Sequence, residues 1–262
     1  MKTILLQSLL IISIITISIT SCTQKKVVVK EHQTTDCKDV HWTYQGEHSP
    51  EHWKDLCSGF VACGGQSQSP IDIVGADVDV NLKPIDFQYV KTSTEIVNNG
   101  HTIQFNVSQG SKIFTNGKEY QLLQFHFHAL SEHTVNGNHF PVEVHYVHKN
   151  SDSDYAVIGI MYEEGEANEL FTKYLANFPH EKGKYTSTDS INLSQLLPEN
   201  KSYFTYSGSL TTPPCSEIVS WYVLKNSVSA SKEQILDFSK ILHNNYRPVM
   251  PLNKREIKIY QD

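Results

Sequence analysis

Three histidines, His126, His128 and His145, stand on two runs that alternate like β-strands: Gln121–His128 (QLLQFHFH) and Val142–His148 (VEVHYVH). Side chains alternate across a strand, so His126 and His128 project from one face. If the two runs pair, a third imidazole completes a three-nitrogen set. Three imidazoles with a fourth position open to water is the arrangement of a catalytic zinc rather than a structural one. Two histidines spaced by two are also what a solvated strand face can carry, so the third histidine and its neighbours decide between the readings. The second run offers His145 and His148 on opposite faces: Glu143, His145 and Val147 share one, and Val144, Tyr146 and His148 the other. A metal-bound imidazole usually gives its second N–H to a carboxylate or carbonyl. Glu143 therefore favours His145 as the ligand, and His148 reads as a polar residue at the strand end.

The elements that must hold these residues are strand-rich. Ile103–Val107, Gln121–His128, Val142–His148, Ala156–Tyr162 and Ile218–Leu224 read as strands. Ala156–Tyr162 (AVIGIMY) is apolar throughout, as in a central strand buried on both faces. Two segments have helical spacing. Glu166–Phe178 carries Leu170, Tyr174 and Leu175, and Ser231–Leu242 opens with Ser-Lys-Glu-Gln, a capping-box pattern, before Ile235, Phe238, Ile241 and Leu242. The chain has 262 residues, enough for one large or two small domains. No linker or internal repeat divides His41–Asp262, which predicts a single, mainly β domain with short surface helices.

The N-terminus has another character. Residues 1–21, one lysine and then a long apolar run, read as an export signal rather than as fold. Ile19-Thr20-Ser21-Cys22 resembles a bacterial lipobox, in which Cys22 is lipidated and becomes the new N-terminus. Residues 22–40 then form a polar tether, and 41–262 the domain. An uncleaved anchor or an ordinary signal peptide are the alternatives. The implied location is exported, periplasmic or at the cell surface, with membrane contact through the lipid alone. The formal net charge is −6, and loss of Lys2 makes it one unit more negative, which argues against a nucleic-acid partner. An exported domain meets an oxidising compartment. Cys37, Cys57, Cys63 and Cys215 contain no CxxC pair, so a thiolate metal site is disfavoured. Four cysteines allow three pairings, and the sequence leaves them open.

Seven blocks in order resemble the α-class carbonic anhydrases over nearly all of His41–Tyr260. They are Trp42-Thr43-Tyr44 with Pro50-Glu51-His52-Trp53, Gln68-Ser69-Pro70-Ile71-Asp72-Ile73, Asn99-Gly100-His101, and Gln124-Phe125-His126-Phe127-His128. Then come Ser131-Glu132-His133-Thr134 with Glu143-Val144-His145-Tyr146-Val147-His148, Ser209-Leu210-Thr211-Thr212-Pro213-Pro214-Cys215-Ser216-Glu217, and Asn245-Tyr246-Arg247-Pro248. The resemblance implies one domain around a large, mostly antiparallel, twisted β-sheet, with the metal at the bottom of a conical cleft. It also implies cis bonds at Ser69–Pro70 and Pro213–Pro214.

The same resemblance implies the roles. His126, His128 and His145 would bind Zn2+, and a metal-bound hydroxide would attack CO2 to give bicarbonate. Thr211 and Glu132 would form the orienting pair, the hydroxyl donating to the carboxylate. Gln124, Glu143 and the Asn245 carbonyl would hold the ligands. Val147, Val157, Leu210, Thr212 and Trp221 would line the pocket for CO2, which is apolar and needs an apolar wall. His101 would be the proton shuttle, with Tyr44, Asn99 and Gln104 as the polar lining; the family often has Asn where Gln104 stands. Cys63 and Cys215 would be bridged, leaving Cys37 and Cys57, which could pair. His48, His133, His139, His180 and His243 read as surface or structural.

Two rivals stand beside this reading. A catalytically silent, carbonic-anhydrase-like binding protein would lack a ligand or the threonine, and this chain has all of them. A cupin-type iron barrel also uses strand histidines, but an open iron site usually takes two histidines and a carboxylate, and the Thr-Thr-Pro-Pro block would have no explanation. The implied partner is a small molecule, CO2 or bicarbonate. The sequence does not encode the oligomeric state, and a dimer is compatible with it.

Overall fold

In the computed structural model the described residues are 37–175 and 178–262. The export signal, Cys22 and most of the tether lie outside them. Thr34–Asp262 forms one compact unit.

Its strands are short at the N-terminal end: β1 (Asp72–Ile73), β2 (Asp77–Val78) and β3 (Asp86–Gln88). β4 (Lys91–Asn98), β5 (Ile103–Val107), β6 (Lys112–Thr115) and β7 (Lys118–His128) follow, then the small β8 (Thr134–Val135) and β9 (Asn138–His139). The remainder are β10 (Val142–Ser151), β11 (Asp154–Glu164), β12 (Gly183–Asn192), β13 (Tyr203–Gly208), β14 (Val219–Leu224), β15 (Val228–Ala230) and β16 (Lys258–Tyr260). The main sheet runs β12-β4-β5-β7-β10-β11-β14-β13-β16-β2, with β6, β3 and β15 attached at its sides. Most pairs are antiparallel. β11 runs parallel to β14 and β15, and β16 parallel to β2, so the sheet is mixed.

The pleat predicted for the ligand strands is the one observed. β10 lies between β7 and β11, with His145 opposite His126 and Gly159. Val144 and Tyr146 face one core, where Phe125 and Phe127 of β7 and Phe105 of β5 also pack. Val147 faces a second core with Val157, Val219, Trp221 and Ile71. One alternating strand thus buries an aromatic core on one side and presents the site on the other. The register shifts between Val147 and His148, where Leu123 of β7 bulges outward and is 41% exposed. β6 and β7 join through Asn116-Gly117, both at positive φ (50° and 74°), the two-residue turn whose twist matches a hairpin.

Two predictions need correction here. β10 does not end at His148 but continues to Ser151, and His148 is 0% exposed rather than a strand-end polar group. Tyr89 covers it, with its hydroxyl 2.9 Å from His148 Nε2. The first helix is shorter than its periodicity suggested, spanning only Glu169–Tyr174 (α2) after the single turn Trp53–Leu56 (α1). Its expected first turn is used otherwise: Gln234 accepts from the Asn168 N–H and donates to the Asn168 carbonyl, tying that segment to the next helix. That helix, α3 (Lys232–Leu242), has the predicted capping box. Ser231 Oγ accepts from the Gln234 N–H, and the Gln234 side chain accepts from the Ser231 N–H. The Ser69–Pro70 and Pro213–Pro214 bonds are cis, as is Ala129–Leu130, which no sequence signal announced.

Candidate metal centre

His126 and His128 leave the end of β7 and His145 the middle of β10. One ring nitrogen from each lies within 4.8 Å of the others. The remaining nitrogens are committed. His126 Nδ1 is 2.8 Å from Gln124 Oε1, and His128 Nδ1 is 2.7 Å from the Asn245 carbonyl. His145 is turned the other way, with Nε2 2.9 Å from Glu143 Oε1. The nitrogens left to converge are therefore Nε2 of His126 and His128 and Nδ1 of His145. His128 Nε2 is buried and makes no hydrogen bond. A buried imidazole nitrogen without a partner costs free energy unless something binds it. That atom, with one ring nitrogen each of His126 and His145 within 4.8 Å, fits a tetrahedral zinc with one open position. Burial first, and then the neighbouring imidazoles, push the basicity of His126 down, and burial does the same to His128. Neutral rings are the form that binds a cation.

Glu143 is the organiser of this centre, and it does more than the sequence suggested. It lies on β10 beside His145, as predicted, and is 0% exposed. Its Oε2 accepts from the backbone N–H groups of Glu132 and His133, both at 2.8 Å, and its Oε1 also meets His133 Nδ1 at 2.7 Å. Burial alone would raise its pKa, but His133 and His145 outweigh that and hold the carboxyl well below its ordinary range. His133 then continues to Tyr206, whose hydroxyl is 2.6 Å from Nε2 and donates to Ser69 Oγ. His133, Glu143 and His145 also come within ligand distance of one another. The carboxylate between them is saturated, so this group supports the metal site rather than forming a second one.

Glu132 follows the non-proline cis bond and is 0% exposed. Its Oε1 accepts from the Arg247 N–H at 2.8 Å. The bond expected from the Thr211 hydroxyl to this carboxylate is not formed. Oε2 has no hydrogen-bond partner and instead points at the imidazoles, 3.5 Å from His128 Nε2 and 3.8 Å from His145 Nδ1. Thr211 itself is buried, at 6% exposure, in the loop closed by the Cys63–Cys215 disulfide. Cys37 and Cys57 are bridged as well.

The residues expected to form an apolar wall lie together in the core. Val147, Val157 and Trp221 share one core cluster, with Leu210 packed against it. The Trp221 ring lies 4.8 Å from His145, and its N–H donates to the Ser209 carbonyl. Thr212, partly buried, follows in the same loop.

The residues expected to transfer protons are placed with more structure than the motif implied. His101 follows Gly100, at φ 88°, in a turn built by Asn99, whose Oδ1 accepts from the His101 and Thr102 N–H groups. Asn99 is thus a turn-former here. The His101 ring stacks on Trp42 at 3.8 Å and 13°. Burial, then His41 and Lys182, push its pKa down to about 4. Burial, and then Glu132, hold the Tyr44 phenol well above its usual range. Gln104 lies in register with His126, but its amide donates to Asn106 Oδ1 at 2.6 Å.

Sequence reasoning missed Arg247. It is 1% exposed and donates to Gln68 Oε1, to the Ser69 carbonyl and to the Cys63 carbonyl. It joins the cis-proline loop, the disulfide and Glu132. An arginine within a matched block was the available signal.

Comparison with known proteins agrees with this geometry. The family model described as eukaryotic-type carbonic anhydrase matches residues 48–261. A carbonic anhydrase of Klebsiella pneumoniae is 43% identical over 223 residues, 83% of this chain and 90% of that protein. One of Pectobacterium atrosepticum is 42% identical over 221 residues, with the same coverage. Among solved structures, the α-carbonic anhydrase of Thermovibrio ammonificans in complex with the inhibitor sulfanilamide aligns with a TM-score of 0.81 and 44% identity, covering 84% of this chain and 99% of that one. The α-carbonic anhydrase of Photobacterium profundum aligns with a TM-score of 0.79 and 39% identity, covering 83% and 100%.

Proposed function

The chain belongs to the eukaryotic-type, or α, carbonic anhydrase family, and from that premise we propose how its own residues carry out the reversible hydration of CO2 to bicarbonate and a proton. The carrying observation is the convergence of three imidazole nitrogens, each ring pinned from behind by Gln124, the Asn245 carbonyl or Glu143. Zinc, when bound there, supplies a Lewis acid that makes water acidic near neutrality, an effect for which carbonic anhydrase is itself the reference case. His126, His128 and His145 hold the metal. Val147, Val157, Leu210 and Trp221 offer the apolar substrate a dry wall, with Thr212 on the loop beside it. Glu132 and Thr211 would orient the attacking water; in support of the Glu132 role, its Oε2 is the unspent acceptor facing the imidazoles. His101 takes the proton toward solvent; in support, its ring stacks on Trp42, which gives it a platform.

Stopped-flow CO2 hydration by the zinc-loaded full-length protein, beside His145→Ala, tests the reading. Fast hydration that is lost in the variant, together with its zinc, supports it. No hydration by a folded, zinc-containing wild-type protein would sink it in favour of a silent binding protein.

We further propose that residues 1–21 direct export and that Cys22 carries a lipid, which tethers the enzyme to a membrane facing an oxidising compartment. The two disulfides support an exported domain. Metabolic labelling with palmitate that disappears in Cys22→Ser would bear this out, and labelling that persists in the variant would refute it.

A further inference from the structure

Arg247 is a cation in the protein interior, 1% exposed, with its guanidinium 5.5 Å from the centre of the Trp53 ring. Nη1 donates to Gln68 Oε1 and to the Ser69 carbonyl, both at 2.8 Å, and Nη2 donates to the Cys63 carbonyl at 2.9 Å. All these acceptors are neutral, and Nε is buried with no hydrogen bond among the described residues. A buried cation served in this way costs free energy, and apolar side chains of similar volume often fill such a site more cheaply. Packing alone does not account for an arginine here.

The guanidinium ties both halves of a disulfide to one stretch of main chain. Cys63 is held directly, through its carbonyl. Cys215 is held through Gln68, whose Nε2 donates to the Cys215 carbonyl at 3.1 Å and to Glu217 Oε1 at 2.9 Å. The main chain so fixed meets the metal centre twice. The Asn245 carbonyl lies 2.7 Å from His128 Nδ1, and the Arg247 N–H donates to Glu132 Oε1 at 2.8 Å. The two contacts are anchored separately. The Asn245 side chain donates to the His101 and Phe127 carbonyls and accepts from the Ala129 N–H. Arg247 is anchored through its guanidinium. Glu132 Oε2 is the unspent acceptor, 3.5 Å from His128 Nε2. A displacement of the Arg247 N–H would turn the carboxylate and take Oε2 off that line.

We propose that Arg247 is a positioning residue for CO2 hydration: its side chain fixes the backbone N–H that holds Glu132 Oε1, and so keeps Oε2 aimed at the ligand imidazoles. The proposal rests on the carbonic anhydrase reading for what Glu132 does. It gives the Cys63–Cys215 bridge a second route to the centre, through Arg247 as well as through the loop that bears Thr211.

The zinc-loaded full-length protein is compared with Arg247→Lys, Glu132→Ala and the double variant. Lysine keeps the charge but lacks the planar fork that serves several acceptors at once. The measurements are zinc affinity by chelator competition, kcat/KM for CO2 hydration by stopped flow, and the backbone amide at position 247 by NMR. Arg247→Lys should lower kcat/KM by roughly 10- to 100-fold, as a small misplacement does, with zinc affinity unchanged. Its amide proton at 247, bonded to a carboxylate in the wild type, should move upfield and exchange faster with solvent, as in Glu132→Ala. In the Glu132→Ala background the same change should cost almost no further activity, because the two residues act through one contact. An equal loss in both backgrounds overturns the proposal and leaves Arg247 a structural residue. An unmoved amide overturns it too, as does zinc lost in parallel with activity. If Arg247→Lys does not fold, Gln68→Met, which removes one of the acceptors, should shift the same amide and lower kcat/KM; an amide unmoved there refutes the anchoring. Hydration by the wild type separates the two readings: an inactive wild type refutes the enzyme, whereas the amide at 247 alone decides the anchoring.

Discussion

At the scale of single residues, the centre depends on what stands behind each ligand. The Gln124 side chain bonds one imidazole, whereas Glu143 holds two imidazoles and two backbone N–H groups. Removing a group that orients a ligand typically costs 10–100-fold in metal affinity. Gln124→Ala should weaken zinc binding by about that factor with the fold intact, measured by competition with a chelator. Glu143→Ala should weaken zinc by a similar factor and also lower the unfolding midpoint of the metal-free protein, since it strands the buried N–H groups of Glu132 and His133. His148 gives a prediction of another kind. Burial holds its pKa down to about 3 in the folded protein, although backbone carbonyls oppose the shift. An unfolded histidine titrates near ~6.5. Between those values the unfolded chain binds the extra proton, so stability present above the upper pKa is lost as pH falls toward the lower one, at about 1.4 kcal/mol per pH unit. His148→Gln, which keeps a partner for Tyr89, should flatten that slope in urea unfolding measured at pH 7 and pH 4.5. An unchanged slope would assign the acid sensitivity elsewhere.

Elements were legible to the degree that their information is local. The alternation VEVHYVH set the faces of β10, because a pleat has a period of two and both faces are buried by different partners. Ser231 and Gln234 announced α3 by cap chemistry, and Ser231→Ala should cost about 1 kcal/mol in unfolding free energy, read from a denaturant curve. Glu166–Phe178 misled for a physical reason: helical spacing does not show that Gln234, some seventy residues on, will claim Asn168. His148 misled because its burial comes from Tyr89, on a distant segment. The ligand histidines came from strand alternation and the residues of the apolar cluster from motif blocks. The Arg247 hub did not, nor did the continuation of Glu143 through His133 to Tyr206. Each of those joins segments that only the tertiary structure brings together.

Over the whole molecule, two disulfides do different work. Cys63–Cys215 spans 152 residues and is buried beside Trp53. Cys37–Cys57 spans 20 and fastens the segment that carries His41 and Trp42. Loop-closure entropy gives roughly 5 kcal/mol for a long closure and about 3 for one of twenty residues, as upper figures. Replacing both cysteines of the long bridge by alanine should therefore lower the unfolding free energy more than the same change in the short one. Only the long-bridge variant should also lose activity in proportion, because its loop bears Thr211. The pleat of β10 has one further consequence. A strand that slipped by one residue during assembly would offer the metal Val144, Tyr146 and His148 in place of Glu143, His145 and Val147. That set takes His145 and its carboxylate partner Glu143 away from His126 and His128, so metal uptake doubles as a checksum on the pairing of the central sheet. The zinc-to-protein ratio of a preparation then counts the molecules whose strands closed in frame, a census that neither mass nor secondary-structure content can take.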